Sequence, residues 1–149
     1  MDDHVRACEE LFSAARSEFK HMESFYFHNC PYERVWKTNQ RRADSTIPTE
    51  QLIRTYGPDY RLILVGDATM SPYEIVYPGG SVEHWNAESG ETWLSRLTAH
   101  YRRSAWLNPV RYRDWDHTQS IQMVHGLMEQ RMYPLTLQGL GDMTNELAR

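Results

Sequence analysis

Cysteine is scarce, with only Cys8 and Cys30 in 149 residues. Two thiols make neither a disulfide framework nor a tetrahedral zinc set, so both are expected to be reduced. Long apolar runs are missing as well. The longest, Leu62 to Val65, falls far short of the ~20 residues that cross a bilayer. The acidic opening MDDHVRACEE does not read as a signal peptide, and a cytoplasmic location is the expectation. Positive charge is not in excess: 16 Lys and Arg stand against 20 Asp and Glu, a net charge of -4. That balance offers no field to nucleic acid or to an anionic membrane, and neither is an expected partner. There is no internal repeat and no low-complexity stretch. No His-x-x-x-His or Glu-x-x-His pair falls on a helical segment, so zinc chemistry has no support.

What is present describes an ordinary globular chain, 24% charged and 40% apolar. The length suits one domain over residues 1–149, burying roughly two-thirds of its unfolded surface. The aromatics are weighted toward rings with a polar handle, five Trp and nine Tyr against four Phe. Such rings need a partner or water at one end, which favours a binding surface. Tyr73, Tyr77, Trp85 and Trp115 are the candidate anchors of one, against the plainer reading that they pack a long loop onto a sheet.

Along the chain, Val5, Cys8, Leu11, Phe12, Ala15 and Phe19 repeat at helical steps from Asp2 to Lys20. Ser24 to Asn29 and Glu33 to Lys37 read as two strands of a hairpin around Cys30-Pro31-Tyr32, and Thr38 to Ser45 as a surface loop. A hydroxyl ahead of Pro48 opens a helix to about Tyr56. An apolar strand covers Tyr60 to Gly66, followed by a Pro/Gly/Ser-rich connection to about Gly90, a length that is usually functional or partly helical. Helix over Glu91–Arg103, strand over Ala105–Val110, helix over Ser120–Gln130, strand over Met132–Thr136 and helix over Leu137–Arg149 complete the alternation. The pattern predicts a mostly parallel sheet with helices on both faces, in which Ser24–Asn29 and Tyr60–Gly66 are inner strands.

The most informative residues close the strand after Tyr60. Gly66 and Asp67 are followed at alternate positions by Thr69 and Ser71, at the edge where open α/β sheets bind ligands. A carboxylate with hydroxyls suits a hard cation such as Mg²⁺ or Ca²⁺. The same residue types also serve as turn and helix-cap groups, with equal weight on the pattern alone.

The block LILVGDATMSPYEIVYPGGSVEHWN, with TIPTEQL before it and AWLNPV and RMYPLTL behind, resembles bacterial von Willebrand factor type A (vWA) domain proteins of the CoxE-like group, from Met1 to Arg149. The resemblance implies a doubly wound, Rossmann-like sheet whose metal ion-dependent adhesion site (MIDAS) gathers three loops. Asp67 matches the aspartate after the fourth strand. The DSTIPT segment matches the loop that supplies a threonine, with Ser45, Thr46 and Thr49 all open, Thr46 preferred as ligand and Thr49 as helix cap. The first strand and first metal loop of the family match nothing in this sequence. The resemblance therefore implies the carboxyl-terminal part of a longer domain, missing its central strand, with an incomplete divalent-cation site. The implied role is a non-enzymatic protein-interaction module, beside a MoxR-type AAA+ ATPase in assembling or maturing a metalloenzyme. A gap left by the missing strand would expose unpaired backbone groups, so the isolated chain is expected to be poorly soluble or oligomeric.

Two rival readings stand beside it. LVGDATMS is similar to the Gly-Asp strand end of Mg-dependent haloacid dehalogenase-like phosphatases, but no Asp-x-Asp precedes it and Ala68 and Ser71 are not acidic. The other is a metal-independent interaction scaffold. Cys30 with His28 two residues away could only act as a nucleophile pair if the strand ran on past Pro31, and a structural cysteine is the better reading. His84, in SVEHWN near the Asp67 loop, is read as bonding that loop to itself.

Overall fold

The computed structural model describes residues 6, 9, 21–40, 42–79 and 86–148. The expected first helix with its stripe and Cys8, and the loop residues His84 and Trp85, lie outside them.

The architecture is mixed α/β. Three parallel strands form one sheet: β3 (Leu62–Val65), β4 (Ser104–Asn108) and β5 (Met132–Pro134), ordered β3-β4-β5. A separate antiparallel pair joins β1 (Arg34–Trp36) to β2 (Thr46–Pro48). The helices are α1 (Thr49–Thr55), α2 (Pro72–Val76), α3 (Gly90–His100), α4 (Gln119–Leu127) and α5 (Leu137–Leu147), with a 3-10 turn at Tyr112–His117.

Strand β4 is buried at every position because helices cover both of its faces. In register, Leu64 stands opposite Trp106 and Trp106 opposite Met132. This row packs with Trp93 and Leu94 of α3 and Ile121 and Val124 of α4. The alternate row, Ile63, Val65, Ala105, Leu107 and Tyr133, packs against Leu140, Met143 and Leu147 of α5. Two helix starts are capped by side-chain hydroxyls. Ser89 Oγ accepts from Thr92 N–H at 3.2 Å, and Thr136 Oγ1 accepts from Gly139 N–H at 3.0 Å.

Two expected inner strands are corrected. Ser24–Asn29 is not a strand: Tyr26 exchanges both backbone bonds with Trp36 at 2.8 Å, and no ladder follows. The chain reverses too soon, since Cys30 N–H bonds back to His28 C=O at 2.8 Å and Asn29 takes a φ of 64°. Phe25 and Phe27 go instead to Tyr56 and Trp106, at ring distances of 6.1 and 5.8 Å. Strand β3 is an edge strand among the described residues. Leu62 and Gly66 donate to Arg103 and Leu107 of the β4 side, so alternation turns the backbone groups of Ile63 and Val65 to the outer edge.

Candidate functional site at the carboxyl edge of the sheet

Side chains from β4 and α4 fix the turn that follows β3. Trp106 Nε1 donates to Gly66 O at 2.8 Å, and Asn108 Nδ2 donates to Asp67 O at 2.9 Å. Asn108 is fully buried, and its Oδ1 accepts from Val110 N–H at 2.9 Å, so one amide ties two loops together. Met70 N–H donates to Ser120 Oγ at 3.1 Å at the start of α4. Between these anchors Ala68 is buried with a φ of 57°. A left-handed alanine costs roughly 1–2 kcal/mol, which the surrounding bonds must offset. The result is a rigid turn that presents Asp67 to solvent.

Asp67 Oδ1 accepts from Thr69 N–H at 2.8 Å, and Thr69 Oγ1 donates to Asp67 O at 3.4 Å. This is a self-bonded Asx turn, with the second carboxylate oxygen free. Ser71 precedes α2 as its N-cap, but its hydroxyl makes no capping bond. The other candidate hydroxyls lie in β2 and on either side of it. Ser45 Oγ donates to Arg42 O at 2.9 Å, and Thr46 Oγ1 accepts from Arg34 Nε at 2.9 Å. Thr49 is buried and donates to Tyr32 O; the N-cap of α1 is Pro48, so Thr49 is the first helical residue and not its cap. None of these three bonds Asp67.

The described residues therefore do not fit a divalent cation by themselves. One free carboxylate oxygen and two loop hydroxyls leave most of an octahedral Mg²⁺ shell to water. Among the described residues no group of three or more His, Cys, Asp or Glu could hold a metal. Titrating the chain with Mg²⁺ should give no saturable heat, and Asp67→Ala should change stability by less than ~1 kcal/mol, as expected for an exposed turn bond. A calorimetric isotherm abolished by Asp67→Ala would contradict this.

The residue that sequence reasoning missed is Glu74. It is 3% exposed on the inner side of α2. Its Oε1 accepts from Tyr32 OH at 2.6 Å, and Asn29 Nδ2 reaches both carboxylate oxygens at 3.3 and 3.2 Å. Cys30 lies in the same layer, its Sγ 3.6 Å from Met70 Sδ and 2.9 Å from where a Cβ on Gly90 would stand. Burial first, and the Glu74 charge second, push the Cys30 thiol from its ordinary 9.0 up to about 12, while burial and then the hydrogen bond to Glu74 raise Tyr32. A buried neutral thiol is a structural group and no nucleophile.

An alkaline titration tests this. Folded Cys30 holds its proton above pH 9, where the unfolded chain releases it, so stability is full below pH 9 and falls as pH rises toward 12. The loss should approach about 1.4 kcal/mol per pH unit across that window. Stability unchanged to pH 11 by urea denaturation would contradict the burial.

The opposite side of α2 is exposed. Tyr73, Val76 and Tyr77 are 56%, 43% and 51% accessible, and the two phenol rings stack with centroids 4.6 Å apart at 31°. Trp115, a candidate anchor with packing as its plainer reading, is packed: it is buried in the 3-10 turn, its Nε1 donating to Val110 O at 2.8 Å. A shallow groove between α1 and α3, lined by Ile53, Arg54, Trp93 and Arg96, touches neither α2 nor Asp67. No protein-family model, curated protein or solved structure matches the chain. Among the described residues no helix is long and apolar enough to cross a membrane.

Proposed function

We propose that the chain is a non-enzymatic protein-interaction module of the vWA type, a doubly wound domain that meets its partner at the carboxyl edge of its sheet. The observation that supports this reading is the ridge of Tyr73, Val76 and Tyr77 on a helix that follows directly from the Asp67 turn. Aromatic side chains on a rigid base are the usual anchors of an interface, because they bury large area at little cost in conformational entropy. Five residues are too few to make a stable helix alone. Glu74 and the buried Ile75 fix α2 from beneath, so the ridge is organised before any partner arrives. The MoxR-type AAA+ ATPase partner, and a part in assembling a metalloenzyme, rest on the resemblance of the VGDATMSPYEI block. Contact by side chains requires no cation at Asp67, and no reaction step is assigned to that carboxylate.

The test pairs binding with turnover. Biolayer interferometry against a purified MoxR-type ATPase should show the Tyr73→Ser/Tyr77→Ser variant binding at least ~10-fold more weakly than the unaltered chain. Phosphoester and peptide hydrolysis should stay at background. Turnover that disappears in Asp67→Ala would overturn the reading in favour of a Mg-dependent hydrolase.

A further inference from the structure

We infer that the Tyr73–Tyr77 ridge receives an arginine-bearing segment of a protein partner; this rests on the reading of α2 as a docking surface. The first support is the shape of the ridge. Rings with centroids 4.6 Å apart and tilted by 31° leave no slot between them for a proline ring. A ligand meets the outer ring faces or their shared edge. Those faces carry the negative side of the aromatic quadrupole, and a guanidinium stacks there better than an ammonium because it is planar and weakly hydrated.

The second support is charge. From Leu62 to Ser95 the sequence holds five carboxylates, Asp67, Glu74, Glu83, Glu88 and Glu91, and no Lys or Arg. Glu74 is buried against Tyr32 and Glu88 is paired with Arg96, whereas Asp67 and Glu91 are exposed. An incoming guanidinium finds a π face and free carboxylate on one stretch of chain, with no cation of that stretch competing for them. An acidic partner would meet like charge at Asp67 and Glu91, and a lysine would forfeit the stacking.

The experiment uses the intact chain and defined peptides. Fluorescein-labelled (Gly-Arg)₄ and (Gly-Lys)₄ are compared by anisotropy at low ionic strength. The arginine peptide should bind about tenfold tighter than the lysine peptide and lose about tenfold in Tyr73→Ser/Tyr77→Ser. Tyr112→Ser removes a tyrosine that is 70% exposed on the 3-10 turn and should leave binding unchanged. Matching circular dichroism and thermal midpoints keep folding out of the comparison, and the preference for arginine on the unaltered chain needs no variant at all. Equal binding of both peptides, insensitive to the tyrosines, overturns the inference. Panning a random dodecapeptide library against both proteins separates the two claims. A tyrosine-dependent pool rich in arginine supports the inference. A tyrosine-dependent pool without arginine overturns it while leaving the docking surface, and a pool indifferent to the tyrosines overturns both.

Discussion

Gly139→Ala is expected to destabilise the protein by about 4 kcal/mol or more, enough to unfold much of a domain of ordinary stability. A Cβ at this position would stand 1.9 Å from Pro134 O and 3.0 Å from its carbonyl carbon, at the end of β5. Both partners are backbone, so no rotamer change relieves the clash. The first turn of α5 would have to lift, carrying Met143 and Leu147 away from Ala105 and Leu107. Gly141→Ala, two residues on, supplies the control. Nothing lies within 4 Å of its added Cβ, and replacing a helical glycine by alanine should stabilise by ~0.5–1 kcal/mol. Urea denaturation of the two variants should move the midpoint in opposite directions, and a near-neutral Gly139→Ala would contradict the docking of α5.

Glu74→Ala is the second large effect, expected at roughly 3–5 kcal/mol. It strips Tyr32 OH and Asn29 Nδ2 of their acceptor in a buried layer, where each orphaned donor costs roughly 1–3 kcal/mol, and it leaves a cavity beneath α2. Glu74→Gln should cost less, about 1–2 kcal/mol, because one oxygen remains for Tyr32 while the new NH₂ opposes that of Asn29. A double-mutant cycle with Tyr32→Phe checks the mechanism. A coupling of about 1.5–3 kcal/mol is expected for a hydrogen bond to a charged group, and additivity within ~0.5 kcal/mol would show that the bond contributes little.

Elements with a clear hydrophobic period were legible in the sequence. The alternation from β3 through α5 was expected within a few residues of its place, since LILV, SAWLN and the stripes of α3 and α4 leave little choice of structure. Before β3 only part was legible: the strand at Arg34–Trp36 and the helix Thr49–Thr55 were expected, whereas SFYFHN and TIP were read wrongly. SFYFHN has the composition of a strand, but Asn29 and Cys30 turn the chain within two residues, a tertiary outcome without a periodic signature. TIP read as a helix start because Thr and Pro also mark caps, whereas it pairs with RVW as β2.

The site divides in the same way. Asp67 lies at the end of β3, as the VGD pattern implied, and its bond to Thr69 N–H is the turn chemistry weighed beside metal binding. Thr46 and Thr49 could not be placed from sequence, because hydroxyl donors look alike until their partners, Arg34 and Tyr32, are known. Glu74 and Asn108 were not singled out by the sequence. Their burial depends on contacts 42 and 41 residues away in the chain, to Tyr32 and Asp67, which local pattern does not carry. Tyr73 and Tyr77 were nominated by residue type, and their exposure follows from Glu74 and Ile75 occupying the inner side of the same turn.

The most direct measurement is hydrogen exchange on the chain alone and in complex with a purified MoxR-type AAA+ ATPase. Added protection is expected over residues 67–77, from the Asp67 turn through α2, with α5 unchanged. Protection confined to the α1–α3 groove or to α5, with residues 67–77 exchanging as in the free chain, would contradict it.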